Sequence, residues 1–213
     1  MTVPNLGPPN RARNFGAIRP DFSHSMGGGG EPSRRPTKVE LAAARDKRIK
    51  DVIAPGLDVL FCGINPGLYS GAVGHHFARP GNRFWPSLYR GGFTDRLLTP
   101  YDERELLQVG VGVTNLVNRT TARADELTHE ELRWGAANLR RKVRRNKPGW
   151  LAVLGLGAWR IAFGKPGSSV GPQSELIGDT KVWLLPNPSG LNAHYQLGDL
   201  AKLFAELRRA SSR

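Results

Sequence analysis

The chain has 213 residues, enough for one domain with tails and a proper hydrophobic core. A net charge of +13 and an isoelectric point near 10.7 favour an anionic partner, nucleic acid first and an anionic membrane surface second. One cysteine excludes an internal disulfide framework and a cysteine-based zinc site, and no apolar run is long enough to span a membrane.

Residues 1–37 are rich in Pro, Gly, Arg and Asn, with four glycines in a row at 27–30. Such a segment cannot bury enough apolar surface to offset its ordering entropy, so it is expected to be a disordered basic tail. It is either an arm that skims along phosphates or a plain spacer. The N-terminus lacks the apolar core of a signal peptide, which predicts a cytoplasmic protein. A single domain is expected over 38–213, with its compact core from about residue 53. Thr37 with Glu40 three residues on forms a capping-box pattern and predicts a helix over 37–53, stopped by Pro55-Gly56. From Leu57 onward there are 21 Lys and Arg against 13 Asp and Glu, a surplus of 8, so the tail is not the only source of charge.

Leu57 to Cys62 is a short apolar run bounded by turn residues and reads as a buried strand. Cys62 falls inside it as a small core residue. Gly63 lets the backbone leave the sheet at an unusual angle, and Pro66 pushes Asn65 out of the helical region. A polar, Gly-rich loop follows to about Gly81 and carries His75, His76 and Phe77. Helices are predicted over 82–91, with Pro86 in an early turn, and over 101–109. Val111 to Val117 is the second strand. Thr128 caps a long helix with Glu130 and Glu131 in its first turn. That helix ends in six basic residues out of eight at 140–147, which are either a phosphate-binding cluster or a solvated helix end. Trp150 to Leu156 is the third strand, 158–163 a short helix, Lys181 to Pro186 the fourth strand, and 197–209 a closing amphipathic helix. Strands alternating with helices predict an α/β protein, a three-layer α/β/α sandwich with a mostly parallel central sheet.

Two of the strands run into Asn-Pro followed closely by Gly: Asn65-Pro66-Gly67 and Asn187-Pro188-Ser189-Gly190. In open α/β sheets ligands bind at the carboxyl ends of strands, although Asn-Pro is also a common turn signal. No phosphate loop, dinucleotide fingerprint or nucleophile elbow is present; Gly155-Leu156-Gly157 is only a fragment of the second. His75 and His76 are adjacent, should point in different directions, and lack Cys or carboxylate company, so no metal is expected there.

The combination resembles the mismatch-specific uracil-DNA and thymine-DNA glycosylases over roughly residues 53–207. The resemblance rests on Gly63-Ile64-Asn65-Pro66-Gly67 and Asn187-Pro188-Ser189-Gly190-Leu191. Gly74-His75-His76-Phe77, Asn82-Arg83-Phe84-Trp85 and Gly112-Val113-Thr114-Asn115-Leu116-Val117 lie between them in the family's order. It implies a uracil-DNA-glycosylase-like fold and hydrolysis of an N-glycosidic bond in duplex DNA, after the base has left the stack. No cofactor is implied. The implied partner is double-stranded DNA with a mismatched or damaged base, met by a monomer.

Residue by residue, the resemblance makes Asn65 catalytic, orienting water through its carbonyl. Phe77 stacks on the flipped base, backbone groups of Ile64 and Gly67 line the base's edge, and Asn187 donates to O2. Gly67 stands where stricter uracil-DNA glycosylases carry a Tyr that excludes a 5-methyl group, so the space is open unless Tyr69 or Ser70 closes it. Ser189, Gly190 and Leu191 match the wedge that fills the vacated stack. Ser70, His75, His76, Asn192, Arg144 and Arg145 are candidates for the DNA backbone. Two departures stand out. Asn192 and Ala193 replace a Ser-Arg found in some bacterial relatives, and Asn118 replaces an acid. Asp95, Asp102 and Asp125 are loop carboxylates that could assist the water. The competing reading is a non-catalytic nucleic-acid-binding α/β module, which would explain the charge but not two Asn-Pro loops.

Overall fold

Five consecutive buried residues, Val59–Gly63, form β1, the strand beside which the rest of the sheet assembles. The computed structural model describes residues 34–190 and 192–212. β1 is flanked on one side by β2 (Val111–Asn115) and on the other by β3 (Trp150–Leu154), both parallel to it. β5 (Thr180–Leu185) adds in parallel to β3, and β4 (Gly171–Ile177) closes the far side antiparallel to β5, giving the order β2-β1-β3-β5-β4. The protein is therefore α/β with a mostly parallel sheet, as the alternation of elements predicted.

The pleat divides β1 between two cores. Val59 and Phe61 point into a cluster with Phe84, Leu88, Phe93 and Phe204; Leu60 and Cys62 point into one with Leu132, Leu139, Val143 and Trp159. The first cluster is covered by α3 (Phe84–Arg90) and α6 (Leu197–Ser211), the second by α4 (His129–Asn146) and α5 (Leu156–Phe163). Phe61 is the hub of the first, edge-on to Phe84 and Phe93 and stacked on Phe204 at 5.3 Å. Burial pushes the Cys62 thiol up to about 12, the Lys142 charge opposing, which leaves it an inert core residue.

Several expectations need correction. The capping box at Thr37 and Glu40 is present, but α1 spans only Lys38–Ala42. Asp46 then takes a positive φ of 62°, and Val52 exchanges both backbone hydrogen bonds with Val113, at 3.0 and 2.8 Å. A continued helix would forfeit this pairing along the outer side of β2 and the burial of Ile49 and Val52. Packing accordingly begins before residue 53. The loop after Gly67 contains a further helix, α2 (Leu68–Val73), which Gly67 at its N-cap and Gly71 within it conceal from a propensity reading. The 100–109 helix is 3₁₀, with a capping box between Thr99 and Asp102. β4 was not foreseen: its outer position leaves Glu175, Pro172 and Leu176 without the apolar run that marks a central strand. Residues 1–33 of the tail expected over 1–37 lie outside the described residues, as does Leu191; in the remainder Arg34 pairs with Glu40 at 2.7 Å and Thr37 caps α1. Among the described residues no helix is long and apolar enough to cross a membrane.

Candidate active site

The parallel register brings the two Asn-Pro segments to one end of the sheet. Leu154 pairs with Leu185, and Cys62 with Val153, so Gly63, Leu154 and Leu185 stand at one level. Asn65 and Asn187 each lie two residues beyond it. β1 and β5 are separated by β3, which puts their ends about 10 Å apart, twice the interstrand spacing. Between them opens a cleft of about 600 Å³. It is lined by both asparagines and by Ile64, Gly67, Ser70, His76, Phe77 and Asn115, among others.

The two amides are held in opposite senses. Asn65 Nδ2 donates to Thr121 Oγ1 at 2.7 Å, to the Arg119 carbonyl at 3.0 Å and to the Pro66 carbonyl at 3.2 Å. The Thr121 hydroxyl donates to the Arg123 carbonyl at 2.7 Å, so toward Asn65 it acts as an acceptor. With the amide nitrogen so engaged, Oδ1 is the free end. Arg119 itself is fixed by Glu131 and Asp46, whose carboxylates raise the guanidinium pKa, the Glu131 hydrogen bond most. At Asn187 the oxygen is engaged instead, accepting from Ser189 N–H at 3.0 Å, and Nδ2 is free.

Phe77 carries a positive φ of 53°, a costly conformation for a bulky residue. Its ring stacks on Phe84 at 4.1 Å and borders the cleft. Gly63 is required here for space, and its φ is not positive, contrary to the expected reason. A Cβ would fall 2.7 Å from Asn115 Oδ1 and 3.2 Å from the Phe77 ring. Asn115, paired with Gly63 across β1 and β2, is a cleft residue that sequence reasoning passed over. A polar residue ending an apolar strand was its signal. Thr121 was also missed; nothing in its local sequence marks it. Around Gly67 no atom lies within 4 Å of where a Cβ would be, so that side of the cleft is open. Ser70 is buried and its hydroxyl accepts from Ala78 N–H at 3.1 Å.

His75 and His76 do not diverge. Each donates from Nδ1 to a different oxygen of Glu103, both at 3.0 Å, and His76 N–H adds a third bond at 2.9 Å. Burial pushes the Glu103 carboxyl up, but the hydrogen bonds and charge from His76 outweigh it and hold the pKa below the usual range. The carboxylate company that the sequence did not show is thus present. Among the described residues, no group of three His, Cys, Asp or Glu side chains is arranged to hold a metal ion. His76 Nε2 is buried without a partner, and the residue lines the cleft.

Of the three loop carboxylates, only Asp125 lines the cleft, and it is paired with Arg123 at 2.6 Å. Asp102 caps the 3₁₀ helix, and Asp95 is outside the cleft. Asn192 sits in the second Asn-Pro loop, its amide donating to the Asn187 carbonyl at 3.0 Å. Arg144 and Arg145 are not brought to this end at all. They close α4 immediately before β3 begins, at the opposite end of the parallel strands. The Arg144 side chain lies near Gly178, in the turn that enters β5. A family model described as "Uracil DNA glycosylase superfamily" matches residues 50–210.

Proposed function

The chain belongs to the uracil DNA glycosylase superfamily, and on that premise we propose that it excises uracil and other pyrimidines with altered C5 positions from opposite guanine in duplex DNA. The observation that carries this reading is the pair of oppositely held amides facing one cleft. A flipped pyrimidine stacked on Phe77 gains about 1–3 kcal/mol from the aromatic face. Asn187 Nδ2 is then a donor for the O2 of the departing base, where negative charge develops. Asn65 Oδ1 is an acceptor that orients a water toward C1′. Water adds at C1′ as the N-glycosidic bond breaks, and the bonding pair leaves on N1. The added water loses a proton to solvent and the base gains one, leaving an abasic site. An amide does not titrate, so water is positioned rather than deprotonated, which makes for slow chemistry. The space beside Gly67 accommodates a C5 substituent.

The phosphates approach the mouth of the cleft, near Arg79, His75 and the 187–196 loop. Arg144 and Arg145 are too remote to join the same contact. The test is incubation with a duplex carrying one G·U pair, followed by alkali cleavage. Strand scission at the uracil is expected. Tight binding with no scission would make the chain a non-catalytic nucleic-acid-binding module.

A further inference from the structure

Resting on that reading, we infer that Arg83 is the positioning residue of the loop beyond Asn187, residues 188–196, and that through this part of the loop it governs excision from paired DNA rather than the chemistry at the base. Four donors of this one residue reach across to the loop. Its backbone N–H donates to the Pro188 carbonyl at 2.9 Å. Nη1 donates to the Tyr195 carbonyl, and Nη2 donates to the carbonyls of Ser189 and Asn192, the latter at 2.7 Å. Among the described residues Arg83 forms no ion pair, and the partners of its guanidinium are carbonyl oxygens. A planar cation is suited to this, because its fixed fork meets several acceptors at once. The loop tip is also pressed against the turn before Arg83: a Cβ on Gly190 would lie 2.8 Å from the Gly81 carbonyl.

Among the described residues, the hydrogen bonds of the Asn187 and Asn192 side chains stay within the loop, reaching Ser189 N–H, the Asn187 carbonyl and His194 N–H. Arg83, at the entry to α3, joins it to the body through its four bonds. A loop that enters a duplex must resist the return of the displaced base, which is driven by a stacking free energy of a few kcal/mol. A loop that yields cannot hold the stack open. Single-stranded uracil has no pair to separate, so it asks nothing of the anchor.

The experiment compares Arg83→Gln and Arg83→Lys with wild type in three measurements. They are single-turnover excision from a G·U duplex, the same from single-stranded uracil DNA, and amide hydrogen exchange over 188–196. For Arg83→Gln, duplex excision should fall by about tenfold or more, the equivalent of losing one or two hydrogen bonds to a charged group. Single-strand excision should change by less than about threefold, and loop exchange should accelerate while β1 and β5 stay protected. Arg83→Lys keeps the charge without the fork and should fall between; it carries the same comparison if the Gln variant does not fold. Equal losses on both substrates, or unchanged exchange in the loop, would overturn the assignment. If wild type excises uracil from neither substrate, the glycosylase reading fails instead, and the exchange data still decide the anchor.

Discussion

Replacing Asn65 by Asp tests the water-orienting role more sharply than removing the side chain. A carboxylate should both orient and polarise the water, so on chemical grounds alone the variant should be active on uracil. The structure adds a cost. The second carboxylate oxygen would replace Nδ2 and lie about 3 Å from the Arg119 and Pro66 carbonyl oxygens, neither of which can donate. Two donated hydrogen bonds of about 1 kcal/mol each are lost, and repulsion is added. The Thr121 hydroxyl can turn from the Arg123 carbonyl to donate, recovering part of this. A net cost to the ionised form of roughly 2–3 kcal/mol corresponds to about two pH units above the ordinary carboxylate value near 3.9. The expected result is a single-turnover rate on uracil that climbs through about pH 6 in the variant, because only the ionised form polarises the water, and is flat there in wild type. A pH-independent variant from pH 5 to 8 would refute the argument, because Nδ2 would then not be held as described. So would a variant as inactive as Asn65→Ala at every pH.

Gly67→Tyr should fold normally, since its Cβ meets nothing, and should cut excision of 5-substituted uracils at least about tenfold more than excision of uracil itself; parallel assays on uracil, 5-fluorouracil and 5-hydroxymethyluracil opposite guanine check it. Gly63→Ala should lower stability by about 1–3 kcal/mol and raise KM by displacing Phe77 or Asn115, as seen in denaturant melts and steady-state kinetics. Glu103→Gln should cost about 1–3 kcal/mol, because two imidazoles and a backbone N–H lose a charged acceptor. The Glu103 carboxyl is held below its ordinary pKa, so its ionised form contributes stability above the usual carboxylate range, and this is lost as the pH falls through the depressed value. Wild type should therefore lose stability in acid more steeply than Glu103→Gln in urea melts from pH 6 to pH 3.

The parts of the fold that could be read from sequence are those where burial and periodicity coincide. β1, β2, β3 and β5 are buried on both faces and appear as apolar runs, and α4 announces itself by the Thr128 cap and the two glutamates of its first turn. β4 lies at the border with alternating exposure, so no run marks it. The helix at 37–53 was cut short by a pairing with a strand some 60 residues away in sequence, which no local propensity records. The candidate site divides similarly. Asn65, Phe77 and Asn187 sit in recognisable motifs and line one cleft. Glu103, Thr121 and the reach of Arg83 depend on contacts between distant segments. The separation of Arg144 and Arg145 from the cleft follows from topology, because α4 runs antiparallel to the strands it covers.

The borders of the sheet bear on how copies of this protein behave toward one another. β2 is shielded on its outer side by the Val52 bridge to Val113, and Arg48 bridges Arg119 in the segment that follows β2. β4, at the other border, carries Pro172, which has no N–H to offer, and its pairing with β5 is interrupted by a register shift between Pro172 and Leu176. A neighbouring chain seeking to add a strand meets, on one side, backbone groups already engaged at both bridges. On the other side it meets an irregular strand bearing Glu175, which is ion-paired with Lys165. Edge-to-edge growth into aggregates is thereby discouraged, so crowding many copies onto one stretch of polyanion need not nucleate a fibre.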